Sequence, residues 1–373
     1  MQPGKGQPVI TFDAVSKQYP NGTTAVDNLS LEFPDGGITV LVGTSGCGKS
    51  TTLRMINRMV EPTAGTVSLD GKDISTVNAP ELRRGIGYVI QHAGLFPHRT
   101  VLDNVATVPL LLGWSKKKAR ARAGELMELV GLPANYAKRY PYQLSGGQQQ
   151  RVGVARALGA DPPVLLMDEP FSAVDPVVRA DLQAEFLRLQ KELHKTIVFV
   201  THDIDEAIKL GDKVAVFRTG GKLVQYDTPE NLLAAPADEF VAGFIGHDRG
   251  IRRLSFVDAA ALPLHDGPVL PDSAPVSKAR AADGPWVLVT NAARKPLGWA
   301  NVTALPQDGT LADATLTPLG HTFNLATDSA RAALDAALLS PSGLAVGVDE
   351  EGAVAGVTDA AAITNGSSGG DSQ

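Results

Sequence analysis

The chain of 373 residues is 43% hydrophobic and 20% charged, and its formal net charge is −6 at pH 7. These values are those of an ordinary globular protein, and the length predicts two domains. The acidic excess lies in residues 251–373, which hold 7 basic and 13 acidic residues against 27 and 27 in residues 1–250. We therefore expect no nucleic-acid partner, because such proteins carry a basic face. No run of 18 apolar residues and no N-terminal signal peptide is visible.

A glycine-rich turn follows the first strongly apolar run of the chain. Ile38–Val42 reads as a buried strand, Gly43–Ser50 has the sequence GTSGCGKS, and a helix is predicted through Ile56. Strand, glycine turn and helix is the context of a phosphate-binding loop. The alternative, a chance glycine turn, would not fill every fixed position of the motif.

The loop residues have predicted roles in binding a nucleoside triphosphate. The glycines allow successive backbone N–H groups to surround phosphates at a helix N-terminus. Lys49 supplies positive charge to the outer phosphates, and Ser50 offers a hydroxyl to Mg²⁺. Cys47 is the only cysteine, so no internal disulfide is possible, which fits a reducing compartment. The predicted nucleotide contacts of this segment are Gly43, Thr44, Ser45, Gly46, Cys47, Gly48, Lys49, Ser50 and Thr51.

A second apolar strand, Val164–Asp168, ends in a carboxylate. Because ligands bind beyond the carboxyl ends of parallel strands, Asp168 is expected to hold the metal or its waters. Glu169 follows and is the candidate to polarise the attacking water. The alternative is an acid that only caps a turn.

The order of the motifs resembles that of the ATP-binding cassette (ABC) ATPases over residues 8–248. Between the glycine loop and the acidic strand lies Leu144–Gln148, LSGGQ, the signature of that family. The resemblance implies that Gln91 contacts Mg²⁺ and water, that Tyr19 stacks on adenine, and that His202 contacts the γ-phosphate. It also identifies Ser172–Asp175 with the loop that crosses the dimer interface, and so predicts that Asp175 takes part in nucleotide binding. The predicted catalytic residues are Glu169, His202, Gln91 and Lys49, and the predicted metal ligands are Ser50, Gln91 and Asp168.

The signature predicts a second copy of the chain as a partner. Ser145, Gly146, Gly147 and Gln148 open a helix whose N-terminus suits a γ-phosphate. The resemblance implies that these residues bind the nucleotide of a second subunit, so that two ATP molecules join a homodimer. The signature lies in a predicted helical subdomain of about residues 92–160, and residues 76–140 read mainly as helices.

Residues 90–105 suggest a docking surface, because Leu95, Phe96 and Pro97 stand beside Gln91 in a loop-like stretch. A locally buried loop is the alternative. The stretches Ile90–Val105, Tyr140–Gln148 and Phe240–Leu254 resemble importers of osmoprotectants such as glycine betaine, carnitine, choline or proline. The implied partners are transmembrane permease subunits and, indirectly, a substrate-binding protein. The implied location is the cytoplasmic face of the inner membrane. An importer of amino acids, a non-transport ABC ATPase and a catalytically silent module remain alternatives.

The C-terminal third predicts a smaller domain. Residues 249–285 read as a linker rich in Pro, Ala, Asp and Gly. Residues 286–303 and 344–358 share a strand-turn-strand plan, with an amphipathic helix at 328–339 before the second copy. Residues 286–364 resemble a degenerate pair of CBS modules, and 365–373 are predicted to be disordered. The fold class is therefore α/β: a P-loop NTPase cassette of the ABC type, with a mixed and largely parallel sheet and a helical subdomain, followed by a small α+β CBS-like domain. The expected cofactors are ATP and Mg²⁺.

Overall fold

The structure, a computed structural model, describes residues 8–91, 94–172 and 174–366. The chain divides into two compact units, Met1–Ile245 and Gly246–Gln373. None of the helices in these described ranges combines the length and the apolar content that crossing a membrane requires.

The first unit contains two sheets. Its strands are β1 Pro8–Gln18, β2 Thr24–Pro34, β3 Ile38–Gly43, β4 Ala64–Leu69, β5 Lys72–Asp73, β6 Ile86–Val89, β7 Val164–Asp168, β8 Thr196–Val200, β9 Lys213–Arg218 and β10 Lys222–Asp227. The smaller sheet is antiparallel with the order β2-β1-β4-β5. The larger has the order β10-β9-β3-β8-β7-β6 and is parallel except for β10. The predicted mixed, largely parallel sheet is therefore present.

The central strands of the larger sheet are buried on both faces. Every residue of β3, β7 and β8 is buried. Successive residues pack in two different hydrophobic clusters. Val40 and Met167 belong to one cluster, and Leu41 and Leu166 belong to the other. The continuous apolar runs in the sequence follow from this burial, because side chains alternate between the two faces of a strand.

Ten helices in the described part of the first unit surround these sheets. They are α1 Lys49–Ile56, α2 Ala79–Arg84, α3 Val101–Val105, α4 Thr107–Leu111, α5 Lys116–Leu129, α6 Gly146–Ala157, α7 Pro176–Leu193, α8 Ile204–Leu210, α9 Pro229–Ala234 and α10 Glu239–Ile245. The helices α3 to α6 lie between β6 and β7 in sequence and pack on one another. They form the helical part expected at about 92–160. Residues 76–140 also contain a strand, β6, which the sequence did not reveal.

The second unit contains two strand-helix-strand-strand repeats. Its strands are β11 Val269–Pro271, β12 Trp286–Thr290, β13 Pro296–Asn301, β14 Leu316–Thr317, β15 Thr322–Asn324, β16 Leu344–Val348 and β17 Val354–Asp359, and its helices are α11 Arg249–Arg253, α12 Val276–Arg280, α13 Ala330–Leu339 and α14 Ala360–Gly366. In each repeat the first strand pairs parallel with the second, and the second pairs antiparallel with the third. The repeats are therefore β11-α12-β12-β13 and β15-α13-β16-β17.

The two hairpin turns of these repeats have the same hydrogen bonds. Asn291 Oδ1 accepts the Lys295 amide at 2.9 Å, and Asp349 Oδ1 accepts the Ala353 amide at 2.8 Å. The same oxygens also accept the amide two residues on, at 3.0 Å in both turns. An acidic or amide side chain therefore closes each turn in the same way.

One prediction for this unit is wrong, and another falls mostly outside the described residues. Residues 249–285 are not an open linker, because they contain α11, β11 and α12, and Val276 and Ala279 are fully or almost fully buried. Elements of three to five residues are too short to show a hydrophobic period, so composition dominated the prediction. Of the tail predicted to be disordered, residues 365 and 366 end α14, and 367–373 lie outside the described residues.

Candidate functional site

A cleft of about 610 Å³ lies at the carboxyl ends of the parallel strands of the larger sheet. The loop after β3, Glu169 after β7, His202 after β8 and Gln91 after β6 all reach it. Since these strands are neighbours in the sheet, their ends meet at one edge. The fold thus brings together four segments that are up to about 160 residues apart. The lining residues are Tyr19, Thr23, Ala25, Ser45, Gly46, Cys47, Gly48, Lys49, Ser50, Thr51, Gln91, Glu169 and His202.

The glycine loop approaches neighbouring backbone too closely for a side chain at two positions. A Cβ on Gly43 would stand 2.2 Å from the Phe217 carbonyl oxygen. A Cβ on Gly48, whose φ is +98°, would stand 1.9 Å from the Ala25 carbonyl oxygen. Gly46 also has a positive φ, but nothing lies within 4 Å of its Cβ position. The loop therefore needs glycine for packing at Gly43 and Gly48, and for backbone angle at Gly46.

Lys49 is buried at the start of α1 with its ammonium turned back over the loop. Its Nζ donates to the carbonyl oxygens of Gly43 at 2.8 Å and Thr44 at 3.0 Å. Neither Gly43 nor Thr44 is among the described residues that line the cleft. Thr44 Oγ1 lies 3.3 Å from Thr219 Oγ1. The ammonium is thus placed at the centre of the turn, where it can balance the charge of a phosphate.

Ser50 and Asp168 meet beside the loop. Ser50 Oγ donates to Asp168 Oδ1 at 2.8 Å, and Arg54 approaches Asp168 Oδ2 at 3.3 Å. A hydroxyl and a carboxylate this close are hard oxygen donors that suit Mg²⁺. Within the described ranges no group of three or more His, Cys, Asp or Glu side chains could hold a metal by itself. This donor set fits an ion held by few protein ligands together with substrate phosphates, which is usual for Mg²⁺. Arg54 is a neighbour of Asp168 that the sequence did not single out.

Glu169 carries the most specific geometry of the cleft. Its Oε2 accepts a hydrogen bond from Gln91 Nε2 at 3.1 Å and lies 3.1 Å from His202 Nδ1. The backbone of Glu169 has a φ of +46°, in the left-handed region that non-glycine residues rarely adopt. Such strain costs of order 1–3 kcal/mol and collects at functional sites. The three predicted residues Gln91, Glu169 and His202 therefore form one polar cluster at the rim of the cleft.

Tyr19 follows β1 directly and lines the same cleft. Its ring is 36% exposed, and Lys17 Nζ lies 5.3 Å from the ring centre. An exposed ring that lines the cleft is available to stack on a base. The prediction for Tyr19 thus agrees with its position, although its contact with adenine stays a prediction.

The signature residues are not part of this cleft. None of Ser145, Gly146, Gly147, Gln148 and Asp175 appears among the described residues that line it. Ser145 begins α6 through a capping box: its hydroxyl accepts the Gln148 amide at 3.3 Å, and Gln148 Oε1 accepts the Ser145 amide at 3.0 Å. Ser145 and Gly146 are exposed. A single chain therefore does not bring its own signature to its own glycine loop.

A network of buried polar side chains behind His202 was missed by the sequence analysis. Thr201 Oγ1 donates to Glu206 Oε2 at 2.7 Å, and Gln183 Nε2 donates to Glu206 Oε1 at 3.1 Å. All three residues are buried. The only signal in the sequence was an acid four residues after the histidine, on the first turns of a predicted helix.

Two further cavities lie away from the cleft. One, of about 330 Å³, lies between residues next to β6 and the helical part, and its lining includes Met59, Tyr88, Phe96 and Arg156. Phe96 is 39% exposed, whereas Leu95 packs partly against the core. The prediction of exposed apolar residues beside Gln91 therefore holds for Phe96. The other cavity, of about 640 Å³, lies in the second unit and includes His265 and Trp286 in its lining.

Comparisons with known proteins identify the family of the chain. The family model for ABC transporters matches residues 26–172. The chain is 53% identical over 247 residues to the choline transport ATP-binding protein OpuBA of Bacillus subtilis (strain 168), which covers 66% of this chain and 65% of that protein. It is 55% identical over 236 residues to the osmoprotectant import ATP-binding protein OsmV of Salmonella typhimurium, covering 63% and 62%. The matched segment thus spans less than two thirds of the length of both relatives.

A third relative is matched over most of its length. The glycine betaine uptake system ATP-binding protein YehX of Escherichia coli (strain K12) is 52% identical over 253 residues, which are 68% of this chain and 82% of that protein. Among solved structures, a dimeric post-hydrolysis state of the ATP-binding cassette MJ0796 bound to ADP and Pi has a TM-score of 0.54 and 35% identity, over 59% of this chain and 98% of that one. The range matched by the family model contains the glycine loop, the signature and the acidic strand, and the chain belongs to the ABC transporter family of ATP-binding proteins.

Proposed function

We propose that this protein is the ATP-hydrolysing subunit of an importer of osmoprotectants such as glycine betaine, carnitine or choline. The observation that carries the ATPase is the position of Glu169, beside the glycine loop and between Gln91 and His202. The substrate class is supported by relatives named for choline, osmoprotectant and glycine betaine transport. No residue of the described chain is assigned a contact with the transported solute.

The hydrolysis follows from the placement of charges in the cleft. The loop amides and Lys49 bind the β- and γ-phosphates of ATP, and Tyr19 stacks on the adenine. Ser50 and Asp168 would hold Mg²⁺, which would supply positive charge to the phosphates when bound. Glu169 accepts a proton from the attacking water, and Gln91 and His202 hold that carboxylate and the γ-phosphate in position. ATP and water become ADP and phosphate.

The ATPase assignment is tested by Glu169→Gln. The variant should bind ATP as the wild type does, while kcat falls by at least about a hundredfold, because the general base contributes 10²–10⁴-fold. Glu128→Gln changes an exposed acid on α5 in the same way and should keep the wild-type rate. Normal turnover by Glu169→Gln would refute the role of Glu169.

We also propose that two copies of the chain form a dimer around two nucleotides. Ser145 and Gly146 of the signature are exposed and do not line the cleft of their own chain, and the structural relative MJ0796 is described as dimeric. Ser145→Arg would place a bulky cation at the N-terminus of α6. It should abolish hydrolysis and leave the affinity of the monomer for ATP unchanged. Loss of ATP binding in the monomer would show that the signature belongs to the site of its own chain.

The membrane partner follows from the relatives and from the 330 Å³ groove. The groove lies next to β6, joins apolar Met59 and Phe96 to Tyr88, and suits a short helix of a permease subunit. Through that contact the protein would sit on the cytoplasmic face of the membrane. Uptake of radiolabelled choline, glycine betaine and an amino acid by the assembly with permease and binding protein tests the substrate class. Uptake of only the amino acid would favour the alternative importer.

For the second unit we propose a pair of degenerate CBS modules with a regulatory or dimerising role. The repeated strand-helix-strand-strand order and the matching hairpin turns support this reading. A deletion should start after Ile245, since one that starts at Trp286 would cut the first repeat between α12 and β12. The deletion should keep basal ATP hydrolysis and change its response to ionic strength. An unchanged response would refute the regulatory role.

A further inference from the structure

The loop that carries His202 is held from behind by a carboxylate. His202 lies between Thr201, which follows β8, and Asp203, which caps the N-terminus of α8. The Asp203 amide donates to Thr201 Oγ1 at 3.0 Å, and that hydroxyl donates to Glu206 Oε2 at 2.7 Å. One hydroxyl therefore joins the residues on both sides of His202 to Glu206.

The second oxygen of Glu206 connects this loop to α7. Gln183 Nε2 donates to Glu206 Oε1 at 3.1 Å, and Gln183 Oε1 accepts from Lys209 Nζ at 3.0 Å. Both carboxylate oxygens of Glu206 are thus used, and the side chains of Gln183 and Glu206 are buried. Helix α7 begins directly after Asp175, so the network ties the histidine loop to the segment that follows the predicted interface loop.

The network faces the reacting groups across a small polar cavity. This cavity of about 40 Å³ is lined by Glu169, His202, Thr201, Glu206 and Arg179, among others. It has room for about one or two waters. Arg179 donates to the Val174 carbonyl oxygen at 3.1 Å, so it holds the end of the predicted interface loop at the same cavity. A buried acid that only filled the core would not need to face Glu169 and His202.

The electrostatics of the cluster agree with this geometry. Burial raises the pKa of the Glu206 carboxyl above its ordinary value, and hydrogen bonds from Thr201 and Gln183 and the charge of Arg179 oppose that rise. The nearby Asp203 raises the pKa further. Moving a buried carboxylate whose two oxygens both accept hydrogen bonds costs free energy, because each lost hydrogen bond leaves an unsatisfied polar group. The arrangement therefore has one strongly preferred geometry.

We propose that Glu206 is a positioning residue for hydrolysis: through the Thr201 hydroxyl it fixes the loop that presents His202 to Glu169, and through Gln183 it ties that loop to α7. The inference rests on the proposed ATPase. It assigns no contact of Glu206 with substrate. Displacing His202 by about 1 Å suffices to slow catalysis, since small errors of placement cost up to 10²-fold.

The test uses the full chain and changes the hydroxyl, because Thr201→Val keeps the shape of the side chain and removes its hydrogen bonds. We expect kcat to fall by about tenfold or more with KM for ATP within about threefold of the wild type. Thr201→Ser restores the hydroxyl and should return kcat to within about threefold. Asp205→Asn, an exposed acid on the same turn as Glu206, is the matched control and should keep the wild-type kcat.

Glu206→Gln provides the second variant if Thr201→Val does not fold. A glutamine presents a donor to one of two neighbours that both donate, so one hydrogen bond is lost whichever way it turns. It should lower kcat with the same small change in KM. Wild-type kcat in Thr201→Val or Glu206→Gln, or a Thr201→Ser variant as slow as Thr201→Val, would overturn the inference. A wild-type chain that binds no ATP and hydrolyses none would instead refute the proposed function.

Discussion

Gly46 and Gly48 provide a matched test of how the glycine loop is built. Both have a positive φ, +74° and +98°, so an alanine at either position incurs the left-handed penalty of about 1–2 kcal/mol. Only the Cβ at Gly48 meets backbone, because it would lie 1.9 Å from the Ala25 carbonyl oxygen, where real contacts stay above 3.0 Å. Gly221 also lies close to that carbonyl, since a Cβ on Gly221 would stand 2.3 Å from the same oxygen.

The expected difference follows from this overlap. Forcing an extra carbon into a packed site costs about 1–3 kcal/mol, so Gly48→Ala should be less stable than Gly46→Ala by that amount. For a unit of this size each kcal/mol lowers the melting temperature by about 2–4 °C, which predicts a difference of about 2–12 °C. Scanning calorimetry without nucleotide measures it. The transition of the first unit is identified in the wild type as the one that a bound ATP analogue raises. A Gly48→Ala variant that melts at or above Gly46→Ala would refute the steric argument.

Three further predictions concern single side chains. Trp299 is fully buried in the second unit, so Trp299→Ala should destabilise that unit by about 3–5 kcal/mol, as measured by urea unfolding followed by circular dichroism; a loss under about 1 kcal/mol would contradict its place in the core. Ser145→Ala removes the N-terminal cap of α6 and should lower the free energy of unfolding by about 0.5–2 kcal/mol, as measured by thermal unfolding at constant pH. Thr228→Ala removes the corresponding cap of α9 and is the variant for comparison. The raised pKa of Glu206 means that the folded state binds a proton at this carboxyl more tightly than the unfolded state does. The stability that this proton adds is complete below the ordinary pKa of about 4.5 and is lost as pH rises through the raised pKa. The melting temperature of the wild type should therefore fall relative to Glu206→Gln across that window, and a constant difference from pH 4 upward would be inconsistent with the shift.

The second unit shows how a repeat can be visible in sequence while its extent is not. The strands of both hairpins and the helix α13 were predicted, because they are runs of five to ten residues with clear apolar patterns. The first strand and helix of the first repeat, Val269–Pro271 and Val276–Arg280, were assigned to a linker. They are ordered by their neighbours: β11 pairs with β12, and Val276 and Ala279 pack in a core with Val287 and Val289. Strand pairing and side-chain burial, which depend on tertiary contacts, therefore decided where the domain begins.

The sequence by itself predicted the residues of the nucleotide site. The glycines, Lys49, Ser50, the strand that ends at Asp168, and Glu169 could be assigned because a phosphate-binding turn and a fully buried strand each impose strict local rules on residue type. Tertiary structure alone decided what no local rule reaches. It placed Gln91 and His202 on Glu169 from two other strand ends, and it set the exposed start of the signature helix apart from that cleft. It also assembled Gln183 of α7, Glu206 of α8 and Thr201, which follows β8, into one hydrogen-bonded cluster.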